Sequence, residues 1–322
     1  MTVLTVTPNP SLDRTYEIPA LTRGTVLRAG TDRVDPGGKG VNVSRAVASA
    51  GHRTVAVLPL GGPEGALLSH LLGDLGIAVA GVPIQGSTRV NVSLAEPDGA
   101  LTKINAAGPH IGADESQALL DTVAAEAVER HASWLVCCGS LPRGLADDWY
   151  AALVTRARAS GVRVALDSSG PALAAALAAR PDVVKPNADE LAEVVGRPLA
   201  TVGDAVKAAE QVREAGAGAV LASLGAIGQL LVDATGTYFA TAPVAAVRSD
   251  VGAGDASLAG FLAEGGARAK ALVSAVAHGA AAVQLPGSQM PAPGDLSLDK
   301  VSLTTDVPMD LPLSHNVNGA VR

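Results

Sequence analysis

Arg248-Ser249-Asp250-Val251-Gly252-Ala253-Gly254-Asp255-Ala256-Ser257-Leu258-Ala259-Gly260-Phe261 reads as a tight glycine turn that opens straight into an apolar helix. Gly252 and Gly254 let the backbone bend and approach a ligand closely. The first amides of a helix have no intrahelical acceptor, and the aligned peptide dipoles add partial positive charge there. A turn of this kind is a ready anion site. Asp255 sits among those donors, where a carboxylate could take a hydroxyl proton while the amides of Gly252, Ala253, Gly254 and Asp255 stabilise a moving phosphoryl group. In isolation, Gly-x-Gly-Asp is better explained as an Asp capping a helix.

A second glycine turn changes that balance. Asp35-Pro36-Gly37-Gly38-Lys39-Gly40-Val41-Asn42-Val43-Ser44-Arg45-Ala46 also leads into a helix. Within six residues, Gly37 to Asn42 offer backbone amides, one ammonium and one side-chain amide, a set suited to a phosphorylated sugar. Between the two turns the chain alternates. Strands are predicted at 134–138, 162–166, 183–184 and 219–223, with helices at 114–130, 147–160, 171–179, 188–195 and 203–215. Such alternation predicts an α/β fold with a doubly wound, mostly parallel sheet and helices on both faces. Strand 3–6, helices 42–50 and 63–76, strand 54–58, a hairpin over 229–240 and helices 255–264 and 270–284 complete the core. Thr88 to Ala95 alternates polar and apolar residues, turns at Glu96-Pro97-Asp98-Gly99 and returns over 100–105, a hairpin with one face inward.

These elements imply a core of 1–11, 37–86 and 106–302, a small β-lid of 12–36 and 87–105, and a loose tail over 303–322. The 322 residues suffice for one large α/β core, and the net charge of −7 gives no general attraction to nucleic acid or to an anionic membrane. No apolar run reaches membrane-spanning length, and nothing at the start reads as a secretory signal, so the cytoplasm is the expected location. Cys137 and Cys138 are adjacent in an apolar strand and read as structural thiols without zinc spacing. His278, on an Ala-rich helix, reads as packed.

Together the two glycine turns resemble the paired signatures of the ribokinase-like sugar kinases, the phosphofructokinase B family. Asn9-Pro10-Ser11-Leu12-Asp13, Thr88-Arg89-Val90-Asn91, Gly139-Ser140-Leu141-Pro142, Lys185-Pro186-Asn187-Ala188-Asp189-Glu190 and Ser223-Leu224-Gly225-Ala226-Ile227-Gly228 follow in the family's order. The resemblance covers about residues 3–295 and points to the hexose-phosphate branch, since a neutral-sugar kinase has no need of Lys39. It implies transfer from ATP to the C6 hydroxyl of fructose 1-phosphate. Fructose 6-phosphate and tagatose 6-phosphate kinases are alternatives within the family, and a silent sugar-phosphate-binding regulator is the alternative outside enzymology. By the same resemblance Asp255 is the base, and Asp13, Gly37, Gly38, Lys39, Asn42, Arg89 and Ser140 bind the sugar phosphate, with Lys39 and Arg89 on its phosphate. Lys185, Asn187, Ser223, Gly225 and Gly228 fall to the nucleotide, and Glu190 to Mg²⁺ through water. The family's lids pair, which implies a homodimer through the β-lid. Arg143 stands where the family usually has a second proline; it adds a phosphate contact or is a surface change. Lys103 reads as a solvated lid charge, and Asp167-Ser168-Ser169-Gly170 as a turn and helix start.

Overall fold

The structure, a computed structural model, describes residues 1–313. In chain order its strands are β1 (Thr2–Val6), β2 (Ser11–Glu17), β3 (Thr31–Gly37), β4 (Arg53–Leu60), β5 (Ala78–Pro83), β6 (Arg89–Ala95), β7 (Leu101–Ile104), β8 (Trp134–Cys138), β9 (Arg163–Asp167), β10 (Val183–Val184), β11 (Ala219–Ser223), β12 (Gln229–Asp233), β13 (Gly236–Thr241) and β14 (Ser302–Thr304). The helices are α1 (Lys39–Ser49), α2 (Gly62–Asp74), α3 (Ala113–Glu129), α4 (Trp149–Ala159), α5 (Gly170–Leu177), α6 (Ala188–Val195), α7 (Val202–Glu214), α8 (Ala253–Ala263) and α9 (Arg268–Ala282).

Ten strands form one sheet in the order β14-β13-β12-β11-β10-β9-β8-β1-β4-β5. From β5 to β11 every pairing is parallel, and β12, β13 and β14 add an antiparallel edge. The chain leaves β1 first toward β4 and β5 and later toward β8, so the order reverses beside β1. In open α/β sheets the crevice at such a reversal is where ligands bind. Strands β1 and β8 are buried along their whole length, as central parallel strands must be. Cys137 packs into the layer of α3 to α7 and Cys138 into the layer of α1, α8 and α9, because successive strand residues face opposite ways. Burial pushes both thiols up, which keeps them unreactive. Helices α8 and α9 lie against one another where Gly260 meets the His278 ring, and His278 Nδ1 sits 2.8 Å from Ser274 O, a packed histidine as expected.

Strands β3, β2, β6 and β7 make a separate four-stranded sheet over the cleft. Its register sets Ser11, Asp13, Asp35, Arg33, Arg89, Asn91, Ser93 and Lys103 on one face, and Leu12, Arg14, Val34, Val90, Val92, Leu94 and Ile104 on the other. At the base of the second face, Leu12, Val34 and Val90 fold back onto Val41, Leu68 and Leu72 of α1 and α2.

Three strands were not foreseen as such. β3 carries Asp32, Arg33, Asp35 and Pro36, which hide its alternation, and a proline is tolerated there because β3 is an edge. β5 is rich in Ala and Gly and has low intrinsic strand preference; its pairing with β4 holds it. β14 corrects the loose tail: Ser302 to Thr304 pair with β13, Leu313 is buried, and backbone bonds from Val202 and Gly203 to Leu311 and Met309 tie the segment to the start of α7. Short apolar stretches among polar ones leave no period to read, yet each finds a backbone partner. The rest of the expected tail, 314–322, lies outside the described residues.

Candidate active site

Gly252 caps α8 in the left-handed conformation, at φ 80°. The left-handed turn favours glycine there, and a Cβ, 2.7 Å from Met290 Cε, would also push that flexible side chain aside. The amides of Gly254 and Asp255 have no acceptor among the described residues; the Ala253 amide reaches Asp250 O at 3.4 Å, and the regular ladder starts with Ala256 to Gly252 O at 2.8 Å. The α8 N-terminus therefore presents free donors beside a carboxylate, as the glycine turn predicts. Asp255 is only 7% exposed. Its Oδ2 accepts a 2.9 Å hydrogen bond from Asn42 Nδ2 on α1. Burial, and then the Asp167 charge, push its carboxyl up to about 6, with Lys185, Asn42 and Lys39 pulling the other way.

Beneath the turn lies an array of opposite charges. Lys185 Nζ is 2.9 Å from Asp167 Oδ2, and a Cβ on Gly254 would sit 3.1 Å from that ammonium. Lys39 Nζ lies 2.8 Å from Asp167 Oδ1 and 3.1 Å from Glu190 Oε1. Burial alone would neutralise both lysines, but Asp167, joined at Lys39 by Glu190, outweighs it and holds them charged above the ordinary lysine range. Burial likewise works against the Asp167 anion, and Lys185 and Lys39 outweigh it, holding the carboxyl below its usual range. Glu190 also closes a capping box: its Oε2 accepts from Asn187 N at 2.9 Å, and Asn187 Oδ1 accepts from Glu190 N at 2.8 Å.

The lid supplies the other wall. Asp13 Oδ1 accepts from Ser11 Oγ at 2.7 Å and from Asn91 Nδ2 at 2.9 Å. Gly37 is glycine because a Cβ would collide with the Asp13 carboxylate. Arg89 Nη1 donates to Ala106 O at 2.8 Å and Nη2 to Asn9 O at 2.9 Å. Gly38, at φ 115°, turns the chain into α1, so Lys39 opens that helix and Asn42 lies one turn on. Ser140 is exposed just past the end of β8. On the far side, Asn187 pairs with Ser223, and Gly225 and Gly228 flank a short helical turn whose Gly225 faces open space.

Lys39, Asn42, Lys185, Glu190 and the Gly252–Asp255 turn thus share one centre, with Asp13, Gly37 and Arg89 on the lid side and Asn187, Ser223, Gly225 and Gly228 on the β11 side. Lys185, expected among the nucleotide residues, lies under the glycine turn. Lys39 and Arg89, expected on one phosphate, have different partners: the Lys39 ammonium is held by two carboxylates, whereas Arg89 is bonded only to backbone carbonyls. Two residues at the site were not singled out from the sequence. Asp167 ends a buried strand in Asp167-Ser168-Ser169-Gly170, a run that resembles the family's hexose-phosphate branch but reads as a turn and helix start. Arg45 is three residues from Asn42 and so on the same helix face; its Nη1 reaches Asn42 Oδ1 at 3.3 Å and Ser288 Oγ at 3.1 Å. Lys103 is an exposed lid charge whose Nζ lies 4.0 Å from Asp250 Oδ1, just ahead of the glycine turn.

The model of the pfkB family of carbohydrate kinases matches residues 7–294. The chain belongs to that family. Accordingly it is a phosphotransferase acting on a sugar hydroxyl. It is 39% identical over 261 residues to the 1-phosphofructokinase of Rhodobacter capsulatus, covering 81% of this chain and 82% of that one. With the 1-phosphofructokinase of Escherichia coli K12 it shares 36% identity over 267 residues, 81% of this chain and 83% of that one. Among solved structures, the phosphofructokinase-2 of Escherichia coli in complex with potassium superposes with a TM-score of 0.85 at 34% identity, over 91% of this chain and 96% of the other. The Arabidopsis thaliana ribokinase complexed with ribose and ATP superposes with a TM-score of 0.72 at 25% identity, over 91% and 96%. The ribokinase-like fold expected from the sequence is the fold of this pfkB kinase.

Proposed function

We propose that this pfkB kinase transfers the γ-phosphoryl group of ATP to the C6 hydroxyl of fructose 1-phosphate, giving fructose 1,6-bisphosphate and ADP. The observation that carries the reaction is Asp255, a buried carboxylate at the start of α8 beside amides with no acceptor of their own. Asp255 accepts the C6 hydroxyl proton as the oxygen forms its bond to the γ-phosphorus. The bond from that phosphorus to the β–γ bridging oxygen breaks, and its electrons leave with ADP. The Gly254 and Asp255 amides hold the equatorial oxygens meanwhile. Asn42, by donating to Asp255 Oδ2, keeps that carboxylate charged and leaves Oδ1 for the hydroxyl.

Lys39 and Lys185 place two cations under the same turn, suited to the negative charge of the transferring and leaving phosphates. Among the described residues no group of three or more His, Cys, Asp and Glu side chains is disposed to hold a metal. Glu190 is partly exposed, with Oε1 on Lys39 and Oε2 on the Asn187 amide, so it would act on a Mg²⁺ held mainly by ATP phosphates only through water. That ion would neutralise phosphate charge. Asn187, Ser223, Gly225 and Gly228 border the nucleotide; Asp13, Asn91 and Gly37 take sugar hydroxyls. The choice of fructose 1-phosphate rests on the two 1-phosphofructokinase relatives.

The enzyme works as a homodimer through its lids. Val92, Leu94 and Ile104 lie beyond the part of the lid that folds back on α1 and α2, and Ile104 is 58% exposed. Such a strip of apolar side chains is covered in a two-fold pair. No helix among the described residues is long and apolar enough to cross a membrane, in keeping with a cytoplasmic enzyme. Comparing kcat/KM for fructose 1-phosphate, fructose 6-phosphate and tagatose 6-phosphate under saturating ATP tests the substrate. A preference for either 6-phosphate would replace this reading with another ketohexose phosphate, and no turnover of any would favour a binding protein.

A further inference from the structure

The side-chain amide of Asn42 has two ends, and both are occupied. Its Nδ2 donates to Asp255 Oδ2 at 2.9 Å, and its Oδ1 accepts from Arg45 Nη1 at 3.3 Å. Only one orientation of that amide suits both neighbours. Turned over, it would set its oxygen against the Asp255 carboxylate and its NH2 group against a guanidinium, which has no acceptor to offer. Arg45 therefore fixes which end of Asn42 faces the base. Donation into Oδ1 also polarises the amide and strengthens the bond that its other end makes to Asp255.

Arg45 is itself held in place. Three residues on from Asn42, it lies on the same face of α1. The same Nη1 reaches Ser288 Oγ at 3.1 Å, in the loop after α9, and Pro36 O at 3.4 Å, near the end of β3. That loop is seated in turn. Met290 lies against Gly252, Ser49 Oγ donates to Pro291 O at 2.9 Å, and the Arg33 guanidinium of the lid lies against Gly287. Arg45 has no carboxylate within ion-pair distance among the described residues, although Asp35, Asp13 and Asp255 attract it and Arg33 repels it. Its charge is directed at neutral acceptors instead, and of these Asn42 leads to the base.

We propose that Arg45 is a positioning residue of this kinase: through Asn42 Oδ1 it orients the amide that donates to Asp255 Oδ2, and so presents Asp255 Oδ1 to the sugar hydroxyl. The inference rests on the reading of Asp255 as the base. The other titratable groups facing Asp255 are Lys39 from α1, Asp167 from the end of β9, Lys185 from the segment after β10 and Cys138 from β8. None of them is altered when Arg45 is replaced. Without Arg45 the Asn42 amide is free to turn, the Asp255 anion loses its fixed donor, and the carboxyl keeps its proton to higher pH.

The test is the pH profile of kcat/KM for Arg45→Met, Arg45→Lys, Asn42→Ala and the Arg45→Met/Asn42→Ala double variant, each with the sugar phosphate that the wild type turns over best. The second ionisation of a phosphomonoester also falls at about pH 6, in every variant alike, so the displacement between variants is what is read. Arg45→Met is expected to move the acid limb up by about half a unit to one unit, the equivalent of one hydrogen bond. It should also lower kcat by about 3–10-fold, with KM for ATP within about twofold. Asn42→Ala should displace the limb in the same direction, and adding Arg45→Met to it should displace it no further. Arg45→Lys should recover part of the shift, because an ammonium can still donate to Oδ1. A limb unmoved by Arg45→Met would overturn the inference. So would a limb that Arg45→Met moves as far in the Asn42→Ala background as in the wild type, since the Arg45 charge would then act on Asp255 directly. If Arg45→Met does not fold, Arg45→Lys decides: a limb displaced upward, but less than by Asn42→Ala, supports the inference, and an undisplaced one overturns it. Normal turnover by Asp255→Asn would remove the base itself, whereas an inactive Asp255→Asn beside an undisplaced Arg45→Met limb would remove only the part given to Arg45.

Discussion

Replacing Asp255 by Asn separates catalysis from stability, and the structure sets both magnitudes. The carboxyl is pushed up to about 6 by burial and by Asp167. Against an ordinary carboxyl near 3.9, keeping it ionised at pH 7 costs the folded state about 3 kcal/mol. Because the folded value is raised, this cost is full above the folded pKa, shrinks as pH falls through it and is gone below the unfolded one. Asn removes the cost but weakens the bond from Asn42, offsetting about 1 kcal/mol. A gain of up to about 2 kcal/mol remains, or roughly 3 °C in Tm, at pH 7–8, fading toward pH 4. Turnover should fall about 10²–10⁴-fold, the contribution of a general base. In the wild type, kcat/KM should drop as pH falls through about 6. Thermal melts at pH 8 and pH 4.5, read beside a coupled ADP-release assay, measure both effects. A variant with near-normal kcat would remove Asp255 from the base role. A variant that melts lower than wild type at pH 8 would refute the electrostatic reasoning even if activity were lost.

Lys39→Met leaves Asp167 and Glu190 facing one another without the shared ammonium, so kcat should fall by at least about 10-fold while KM for the sugar phosphate moves little; a change confined to sugar KM would put Lys39 on the sugar's phosphate instead. Gly252→Val forces a branched side chain into a left-handed turn and against Met290, costing about 1–3 kcal/mol of strain. It should lower both Tm and kcat, and an unchanged kcat would show that the turn need not keep its shape. Val92→Glu should convert a dimer to a monomer in sedimentation and raise KM for the sugar phosphate; a wild type that sediments as a fully active monomer would exclude the lid dimer.

Where local pattern and tertiary role coincide, the sequence is readable. Strand β8, an unbroken apolar run, and α6, opened by Asn187 and Glu190, lie where their residues predict. So do the two glycine turns, because an anion site at a helix start is a local device. The unread parts depend on distant partners. β3 and β5 lack strand-like composition and are held by β2 and β4, and Leu311 to Leu313 are ordered by α7. At the site, Asp167 lies in a run that reads as a turn and helix start: what defines it is the convergence of Lys39 and Lys185, 128 residues before it and 18 after it in the chain. The Lys39 ammonium illustrates the limit. A cation on a glycine turn announces an anion nearby, but only the fold reveals that carboxylates at the end of β9 and the start of α6 already hold it.

The most direct measurement is the fate of the phosphoryl group in a mixture of the purified enzyme, ATP, Mg²⁺ and fructose 1-phosphate, followed by phosphorus NMR. The expected result is ADP and fructose 1,6-bisphosphate in equal amounts, with the original C1 phosphate retained and a new phosphomonoester on C6. ADP formed without a C6 ester, or no reaction with fructose 1-phosphate while another ketohexose phosphate is consumed, would contradict it.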